Sequence, residues 1–409
     1  MISRRKNNAP EVLVPAGDAE RLKAAIDFGA DAVYVGGKLF TMRAATAGFD
    51  GEQLCDAVQF AHSKGVKVYL TCNTLPRNPE LELFPKFLSD AQNAGVDALI
   101  AADLGLLTMI RKYAPDMEVH MSTQTGIVNY AAANALYDMG VRRVVLAREL
   151  SLKDIAEIRR NIPDDLEIEV FVHGAMCVSF SGRCLLSAYL TGRDANRGAC
   201  AQPCRWKYHL MEETRPGQFF PIEEDDSGTY IMNAKDLCMI DYIPELAQAG
   251  VTSLKIEGRA KSAYYVSVAA NAYRCAVDAF MNGQPLPKWV HDEVYHVSHR
   301  DYCTGFFFGQ PKDCQRYEDN SYLKASDVIG VVDECRDGFV YGTQRNRFFA
   351  NDTIEILAPG KPPYEIALNG QLFNGDGEQV ETANHAMMKI KFPCSEEFPA
   401  GAVIRKRTE

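Results

Sequence analysis

The sequence predicts an α/β fold, a (β/α)8 barrel of the TIM type that is followed by a small all-β domain. Three observations support this prediction. Helical stretches end at a glycine and lead directly into a β-rich run five times, these units recur about every 30 to 45 residues except at one insertion, and three further β-rich runs bring the number before residue 260 to eight. A closed barrel explains eight strands better than a doubly wound sheet, which the sequence leaves open as the alternative.

The eight predicted strands alternate with amphipathic segments. The first of these segments is typical, because Asp18 can cap a helix in which Leu22, Ala25 and Ile26 share one face. Several strands are near-continuous apolar runs, which indicates parallel strands buried on both faces of the sheet. In chain order the predicted strands are Glu11–Val14, Asp31–Val35, Lys67–Leu70, Ala98–Ala101, Glu118–Met121, Arg143–Leu146, Ile168–Val172 and Ser253–Ile256.

The chain departs from this alternation after the seventh strand. About 80 residues separate strands seven and eight, far more than a short βα loop needs. We predict a barrel over residues 1–283 with a long cysteine-rich insertion at 174–250, which emerges at the C-terminal face where such barrels carry their active sites. Residues 284–320 are predicted to be a connector. Short β-rich runs separated by Gly, Asn and Asp predict a small β-barrel or sandwich over residues 321–409.

Composition and charge limit the possible classes of protein. No run approaches the roughly 18 apolar residues of a membrane span, and residues 1–9 are basic and polar without an apolar core. We therefore expect a cytoplasmic protein that has no contact with a membrane. Twelve cysteines are many for a reducing compartment, and clustered cysteines there indicate metal or redox chemistry. The net charge of −10 would repel RNA unless the chain carries a local basic patch.

Four cysteines lie within 28 residues of the insertion, on a segment rich in Gly and Ser. Thiolates are ligands for zinc and for iron–sulfur clusters. Their spacing matches neither the paired C-x2-C zinc pattern nor the Cys2His2 pattern, which favours a [4Fe–4S] cluster over zinc. The alternative is a set of buried cysteines without a ligand role, which fits poorly with a polar loop. The candidate ligands are Cys177, Cys184, Cys200 and, for the fourth position, either Cys204 or Cys238.

A basic island surrounds these cysteines, and Asp194 is the one acidic residue between positions 177 and 208. Trp206 and Tyr208 lie beside it, and arginine together with aromatic rings suits RNA phosphates and unstacked bases. The alternative is that the cations balance the charge of a thiolate cluster. The candidate RNA-binding residues are Arg193, Arg197, Arg205 and Lys207.

Polar side chains also follow the predicted strands, and at the C-terminal face of a barrel they would point toward one pocket. They include Asp103, the run 122–124 and Glu149, and some would serve only as helix caps or ion pairs. The candidate catalytic residues are His173, Glu257, Arg259 and Asn73, of which the first two flank the insertion. The candidates for holding an anionic small molecule by bidentate contact are Arg148 and Arg183.

Several enzyme signatures are missing from the sequence. It contains no H-E-x-x-H zinc motif and no G-x-S-x-G elbow. A P-loop and the dinucleotide motif G-x-G-x-x-G are also absent. The sequence therefore gives no clear hydrolytic nucleophile, metalloprotease centre or nucleotide-binding fold.

The cysteine segment carries a resemblance to a known family. Its run G-A-M-C-V-S-F-S-G-R-C, ending at Cys184, closely resembles the signature of the collagenase-like peptidase family U32. Further stretches agree, namely 10–17, 196–205, 233–238, 253–259 and 299–309. The resemblance implies that Cys177, Cys184 and Cys200 bind a [4Fe–4S] cluster. It leaves the fourth ligand open between Cys204 and Cys238, because relatives differ at this point.

The resemblance also implies an activity. The better-understood members of the family are oxygen-independent hydroxylation proteins that act on tRNA, on ribosomal RNA or on a ubiquinone precursor, and those acting on tRNA use prephenate as the hydroxyl source. It therefore implies an iron–sulfur enzyme that converts the wobble uridine of tRNA to 5-hydroxyuridine. One alternative is a peptidase, as the family name indicates. Another is a scaffold or hydroxylase subunit that needs a second protein of the same family.

Overall fold

The fold is taken from a computed structural model of the chain. It describes residues 9–42, 48–177, 179–206, 224–225, 228–229, 234–311, 314 and 322–408. Within these ranges, no helix has both the length and the apolar character that a membrane crossing requires.

Eight parallel strands form a closed barrel, as the sequence predicts. They are β1 Glu11–Ala16, β2 Ala32–Gly36, β3 Lys67–Cys72, β4 Ala98–Ala101, β5 Glu118–Met121, β6 Arg143–Val145, β7 Glu167–Ala175 and β8 Ser253–Ile256. Each strand pairs with the next, and β8 pairs with both β7 and β1. This pairing closes the barrel and excludes the doubly wound sheet.

Helices lie between the barrel strands and cover them with their apolar faces. At the predicted first cap, the Asp18 carboxylate accepts a hydrogen bond from the backbone N–H of Arg21 at 2.9 Å, and Leu22, Ala25 and Ile26 are buried. The helices are α1 Ala19–Asp27, α2 Gly51–Ser63, α3 Asn78–Leu81, α4 Phe84–Ala94, α5 Leu104–Tyr113, α6 Tyr130–Asp138, α7 Leu152–Arg160, α8 Leu186–Thr191, α9 Ile243–Gln248, α10 Ala263–Met281 and α11 Lys288–Glu293.

Charged side chains fill the barrel interior toward the amino-terminal ends of the strands. Arg143 donates hydrogen bonds to Glu11 at 2.6 Å and to Glu169 at 3.2 Å. Lys255 donates to Glu169 at 2.6 Å, and the Tyr69 hydroxyl donates to Glu11 at 2.8 Å. Burial alone would raise the pKa of Glu11, but the guanidinium of Arg143 lowers it to about 2. These five buried residues are called the barrel floor below.

The segment between β7 and β8 forms irregular structure at the carboxyl ends of the strands. Besides α8 and α9 it contains 3-10 turns at Phe180–Gly182, Ala195–Arg197 and Pro203–Arg205. A short strand, Asp236–Cys238, pairs antiparallel with β7. A second short strand, Tyr302–Cys303, pairs parallel with Asp236–Cys238. The predicted connector at 284–320 therefore contains α11 and contributes one short strand to the barrel sheet.

The C-terminal part is an antiparallel all-β domain. Its main strands are β9 Ser326–Arg336, β10 Phe339–Gln344, β11 Thr353–Leu357, β12 Tyr364–Ala367, β13 Phe373–Asn374, β14 Lys389–Pro393 and β15 Val403–Arg407. They form one sheet in the order β12-β11-β15-β9-β10-β14-β13. The buried Arg405 on β15 donates to Glu293 on α11 at 2.7 and 2.8 Å, which joins this domain to the barrel.

Candidate functional site

A cavity of about 530 Å³ lies between the carboxyl ends of the barrel strands and the cysteine-containing segment. The strand ends and their loops contribute Tyr34, Thr71, Asn73, Ser122, Gln124, Arg148, Phe171, Lys255, Glu257, Arg259 and Lys261. The segment after β7 contributes Cys177, Ser181, Cys184, Arg193, Cys200 and Cys204. Strand-end side chains and cysteines that lie far apart in sequence thus share one cavity.

Hydrogen bonds hold the cysteine segment against the barrel. The backbone N–H and the hydroxyl of Ser181 donate to the Glu149 carboxylate at 2.6 and 2.9 Å. The Asn196 amide accepts from the backbone N–H of Cys184 at 3.2 Å and donates to its carbonyl at 3.0 Å. Gly198 has a φ of +85°, and a Cβ there would lie 2.6 Å from a backbone oxygen of the loop after β2. The position therefore requires glycine, and the segment is fixed closely against that loop.

The four cavity cysteines lie on two neighbouring stretches of chain and form no disulfide with one another. Cys177 and Cys200 are exposed, whereas Cys184 and Cys204 are partly buried. A set of four soft sulfur donors fits an iron–sulfur cluster or zinc in chemical kind. In the ranges that the structure describes, no three His, Cys, Asp or Glu side chains already form a metal-binding group. The sulfur atoms would therefore have to converge further to hold a cluster.

The fifth candidate ligand and one candidate catalytic residue lie outside the cavity lining. Cys238 and His173 face each other where the short strand pairs with β7. The register between β7 and β8 shifts beside His173, and such a bulge re-aims side chains. The imidazole packs against Tyr265 and Tyr273 of α10, with ring centroids 5.9 and 5.5 Å apart.

Burial sets the protonation states of Cys238 and His173. It raises the pKa of the Cys238 thiol to about 12 and lowers the pKa of His173 to about 3. Neither ring nitrogen of His173 has a hydrogen-bond partner among the described residues. His173 is therefore a neutral imidazole in an aromatic environment, and the structure does not bring it to the cavity with the other catalytic candidates.

The cavity lining carries an excess of positive charge. Arg259 is only 3% exposed and donates to the Thr71 hydroxyl at 3.0 Å, and the ammonium of Lys255 lies 4.8 Å from the centroid of the Tyr34 ring. Among the described lining residues, the one carboxylate is that of Glu257, against five cations: Arg148, Arg193, Lys255, Arg259 and Lys261. This charge distribution favours a ligand with carboxylate or phosphate groups.

The other candidate cationic residues are placed differently. The Arg183 guanidinium donates to the backbone carbonyl of Gln124 and is not part of the lining. Arg193 lines the cavity, whereas Arg197 forms an ion pair with Glu80 at 2.6 Å. The side chain of Arg205 and all of Lys207 lie outside the described residues.

Sequence reasoning missed several cavity residues, among them Tyr34, Thr71 and Lys255. Alternation along the strands was the available signal for two of them. Thr71 lies two residues before Asn73, and Lys255 two before Glu257, so each shares a face with a side chain that was singled out.

Comparisons with known proteins agree over nearly the whole chain. The family model described as Peptidase family U32 matches residues 17–317, and the Peptidase family U32 C-terminal domain matches residues 324–405. The "tRNA hydroxylation protein P1" of Bacillus subtilis is 35% identical over 97% of this chain and 94% of its own length. The "tRNA hydroxylation protein P" of Escherichia coli is 36% identical over 86% of each chain. A "Collagenase" of Porphyromonas gingivalis is 36% identical over 73% of this chain and 74% of its own.

Proposed function

The chain belongs to peptidase family U32, and we propose that it is an iron–sulfur enzyme of tRNA modification. In this proposal it converts the wobble uridine to 5-hydroxyuridine in the cytoplasm without oxygen, and the hydroxyl group comes from prephenate. The observation that carries the proposal is a single cavity lined by four thiols and five cations. Two relatives that match 97% and 86% of this chain are named tRNA hydroxylation proteins.

The cations of the cavity would bind the hydroxyl donor. Prephenate carries two carboxylates, and paired carboxylates are well matched by guanidinium and ammonium groups in a site shielded from water. Arg259 and Lys255 are 3% and 4% exposed, so their charges are weakly screened by solvent. Arg148 lies over the Phe171 ring at 3.8 Å, which orients its guanidinium at the same cavity.

The thiols would hold the cluster. Cys177, Cys184, Cys200 and Cys204 line the cavity, whereas Cys238 is not in the lining and lies opposite His173 where the short strand pairs with β7. This contrast supports Cys204 as the fourth ligand. When bound, an iron–sulfur cluster supplies one-electron transfer at the cavity.

The net reaction balances without an outside oxidant. The C5–H bond of uracil is replaced by C5–OH, which is a two-electron oxidation, while a C–OH bond of the donor is replaced by C–H, which is a two-electron reduction. Glu257 is the carboxylate of the described lining, and in the proposal it accepts the proton that leaves C5 and returns it to the donor carbon, where the new C–H bond forms. Asn73 and Arg259, from the ends of β3 and β8, would orient the two reactants.

Proteolysis has weaker support from the site. As far as the structure describes it, the cavity lining contains no histidine that could serve as a base. Ser181 lines the cavity, but its hydroxyl donates to Glu149 in the contact that holds the cysteine segment. The family name and the collagenase relative are the arguments for a peptidase, and the geometry adds none.

The test uses protein purified without oxygen, with iron, sulfide and zinc quantified. We expect about four iron and four sulfide per chain if the cluster is of the [4Fe–4S] type. Incubation with tRNA that lacks the modification and with prephenate labelled with 18O in its hydroxyl group should give labelled 5-hydroxyuridine, read by mass spectrometry of nucleosides.

Serine variants provide the controls. Cys177→Ser, Cys200→Ser and Cys204→Ser should lose iron and product, whereas Cys238→Ser and Cys394→Ser, whose sulfurs lie outside the lining, should keep both. Iron-replete protein that gives no 5-hydroxyuridine on its own would contradict a self-sufficient enzyme. Gelatin cleavage that is lost on a single cavity substitution would favour the peptidase instead.

A further inference from the structure

We propose that Gln124 recognises the target base, by pairing its side-chain amide with the N3–H edge of a uracil bound in the cavity. This inference rests on the proposed function and adds a specificity-determining residue to it. Single-stranded RNA bases are commonly read by hydrogen bonds to this edge after they leave the stack.

The first argument is an unmet hydrogen bond. Gln124 is 4% exposed and lines the cavity, yet its Oε1 has no hydrogen-bond partner among the described residues. Its Nε2 lies 3.5 Å from the sulfur of Met42, and a thioether is a weak acceptor. Buried amide groups in folded proteins nearly always have strong partners, and the exceptions need an explanation. A ligand that supplies both partners explains this one.

The second argument is rigidity. Gln124 lies in the 3-10 turn Thr123–Thr125 directly after β5. The Thr123 hydroxyl donates to the Leu146 carbonyl at 3.0 Å, and Arg183 donates to the carbonyl of Gln124 itself. The turn is therefore anchored on one side to the end of β6 and on the other to the cysteine segment. A recognition residue needs such support, because a loosely held side chain discriminates poorly.

The third argument is chemical complementarity. Uracil presents an N3–H donor between two carbonyl acceptors, and a primary amide offers one acceptor and one donor side by side. Oε1 can accept from N3–H while Nε2 donates to a neighbouring carbonyl. This pairing leaves the opposite C5–C6 edge of the ring free for reaction. Cytosine has no hydrogen at N3, so in this orientation of the amide Oε1 would face a lone pair instead.

The experiment measures binding of an RNA stem-loop that carries uridine or 3-methyluridine at the target position. For the wild type, 3-methyluridine should weaken binding by roughly tenfold to hundredfold, as expected for the loss of a bidentate base contact. Gln124→Leu should bind the uridine RNA more weakly and respond little to N3 methylation. Gln284→Leu, at an exposed glutamine after α10, should behave as the wild type.

The outcomes separate this inference from the proposed function. If the wild type binds none of the RNAs, the proposed function fails. If it binds uridine and 3-methyluridine RNA equally, or if Gln124→Leu keeps the full discrimination, the assignment of Gln124 fails while RNA binding stands. The comparison of the two RNAs on the wild type needs no variant, so a Gln124→Leu protein that does not fold leaves the test intact.

Discussion

The two ends of the barrel interior differ in how their charged and polar side chains are partnered. On the barrel floor the charges are paired within the protein, since Arg143 contacts Glu11 and Glu169, and Lys255 contacts Glu169. At the cavity, four cations besides Lys255 face one carboxylate, the four cysteines form no disulfide with one another, and the Gln124 amide oxygen has no partner among the described residues. This difference indicates that side chains at the amino-terminal ends of the strands stabilise the fold, whereas side chains at the carboxyl ends are available to bind ligands.

Lys255 connects the two ends. Its ammonium is bonded to Glu169 of the floor and also lines the cavity, where it lies near the Tyr34 ring. The floor thereby fixes the position of one of the cations that we assign to anion binding. Stability and binding are separate in space, but they share this one side chain.

The largest effect that tests this comparison is expected for Arg143→Met. Removing the guanidinium leaves the buried carboxylate of Glu11 without its main partner and takes away one of the two cations that contact Glu169, and breaking a buried ion pair in this way typically costs about 3–5 kcal/mol. Urea unfolding should show this loss in the free energy of unfolding. The matched control is Arg142→Met at the exposed neighbouring position, which should change stability by less than about 1 kcal/mol.

Equal denaturation midpoints for the two methionine variants would show that the floor is not a stabilising element. A cavity variant shows whether the two ends of the barrel contribute differently to stability. Cys200→Ser should leave the free energy of unfolding of the cluster-free protein nearly unchanged, because its side chain is exposed.

The strands and the barrel could be predicted because their signals are local. Glycine caps and apolar runs act within a few residues, and all eight strands were found in this way. The floor was not predicted, although Glu11 and Arg143 begin predicted strands and Glu169 and Lys255 each interrupt an apolar run. Which charge meets which depends on strands far apart in the chain, and no local pattern carries that information.

The site was predictable to a similar extent. Asn73, Arg148, Glu257 and Arg259 follow strands, and barrel geometry is enough to bring their side chains together. The placement of His173 depends on a register shift between β7 and β8, which alternation along one strand cannot reveal.

The second test asks whether His173 behaves as part of the core although it lies near the cavity end of β7. Its pKa is about 3 in the folded protein because burial disfavours the imidazolium, and the ordinary value is 6.5. Below pH 6.5 the unfolded chain takes up a proton that the folded chain does not, so stability falls as the pH falls toward 3. Between pH 7 and pH 5 this proton uptake lowers the free energy of unfolding by about 2 kcal/mol.

His173→Phe keeps an aromatic ring beside Tyr265 and Tyr273 and removes the titrating group. We expect the free energy of unfolding of this variant to depend less steeply on pH between 7 and 5 than that of the wild type. Other buried histidines, such as His120 and His299, titrate in both proteins and cancel in the difference. Parallel pH profiles would mean that His173 is solvated, and would reopen a role for it in the cavity.

The smallest expected effect concerns the rim of the cavity, where Arg197 is already paired. Its guanidinium donates to Glu80 at 2.6 Å, and both side chains are about one third exposed. An RNA phosphate would have to compete with Glu80, so Glu80→Gln should strengthen RNA binding by about threefold at low salt, and Arg197→Ala should weaken it by a similar factor. The difference in RNA affinity between each variant and the wild type should shrink as the salt concentration is raised, because the release of counterions from RNA then contributes less to binding. Equal affinities for the two variants would assign Arg197 to the internal ion pair alone and would confine RNA contact to the cavity itself.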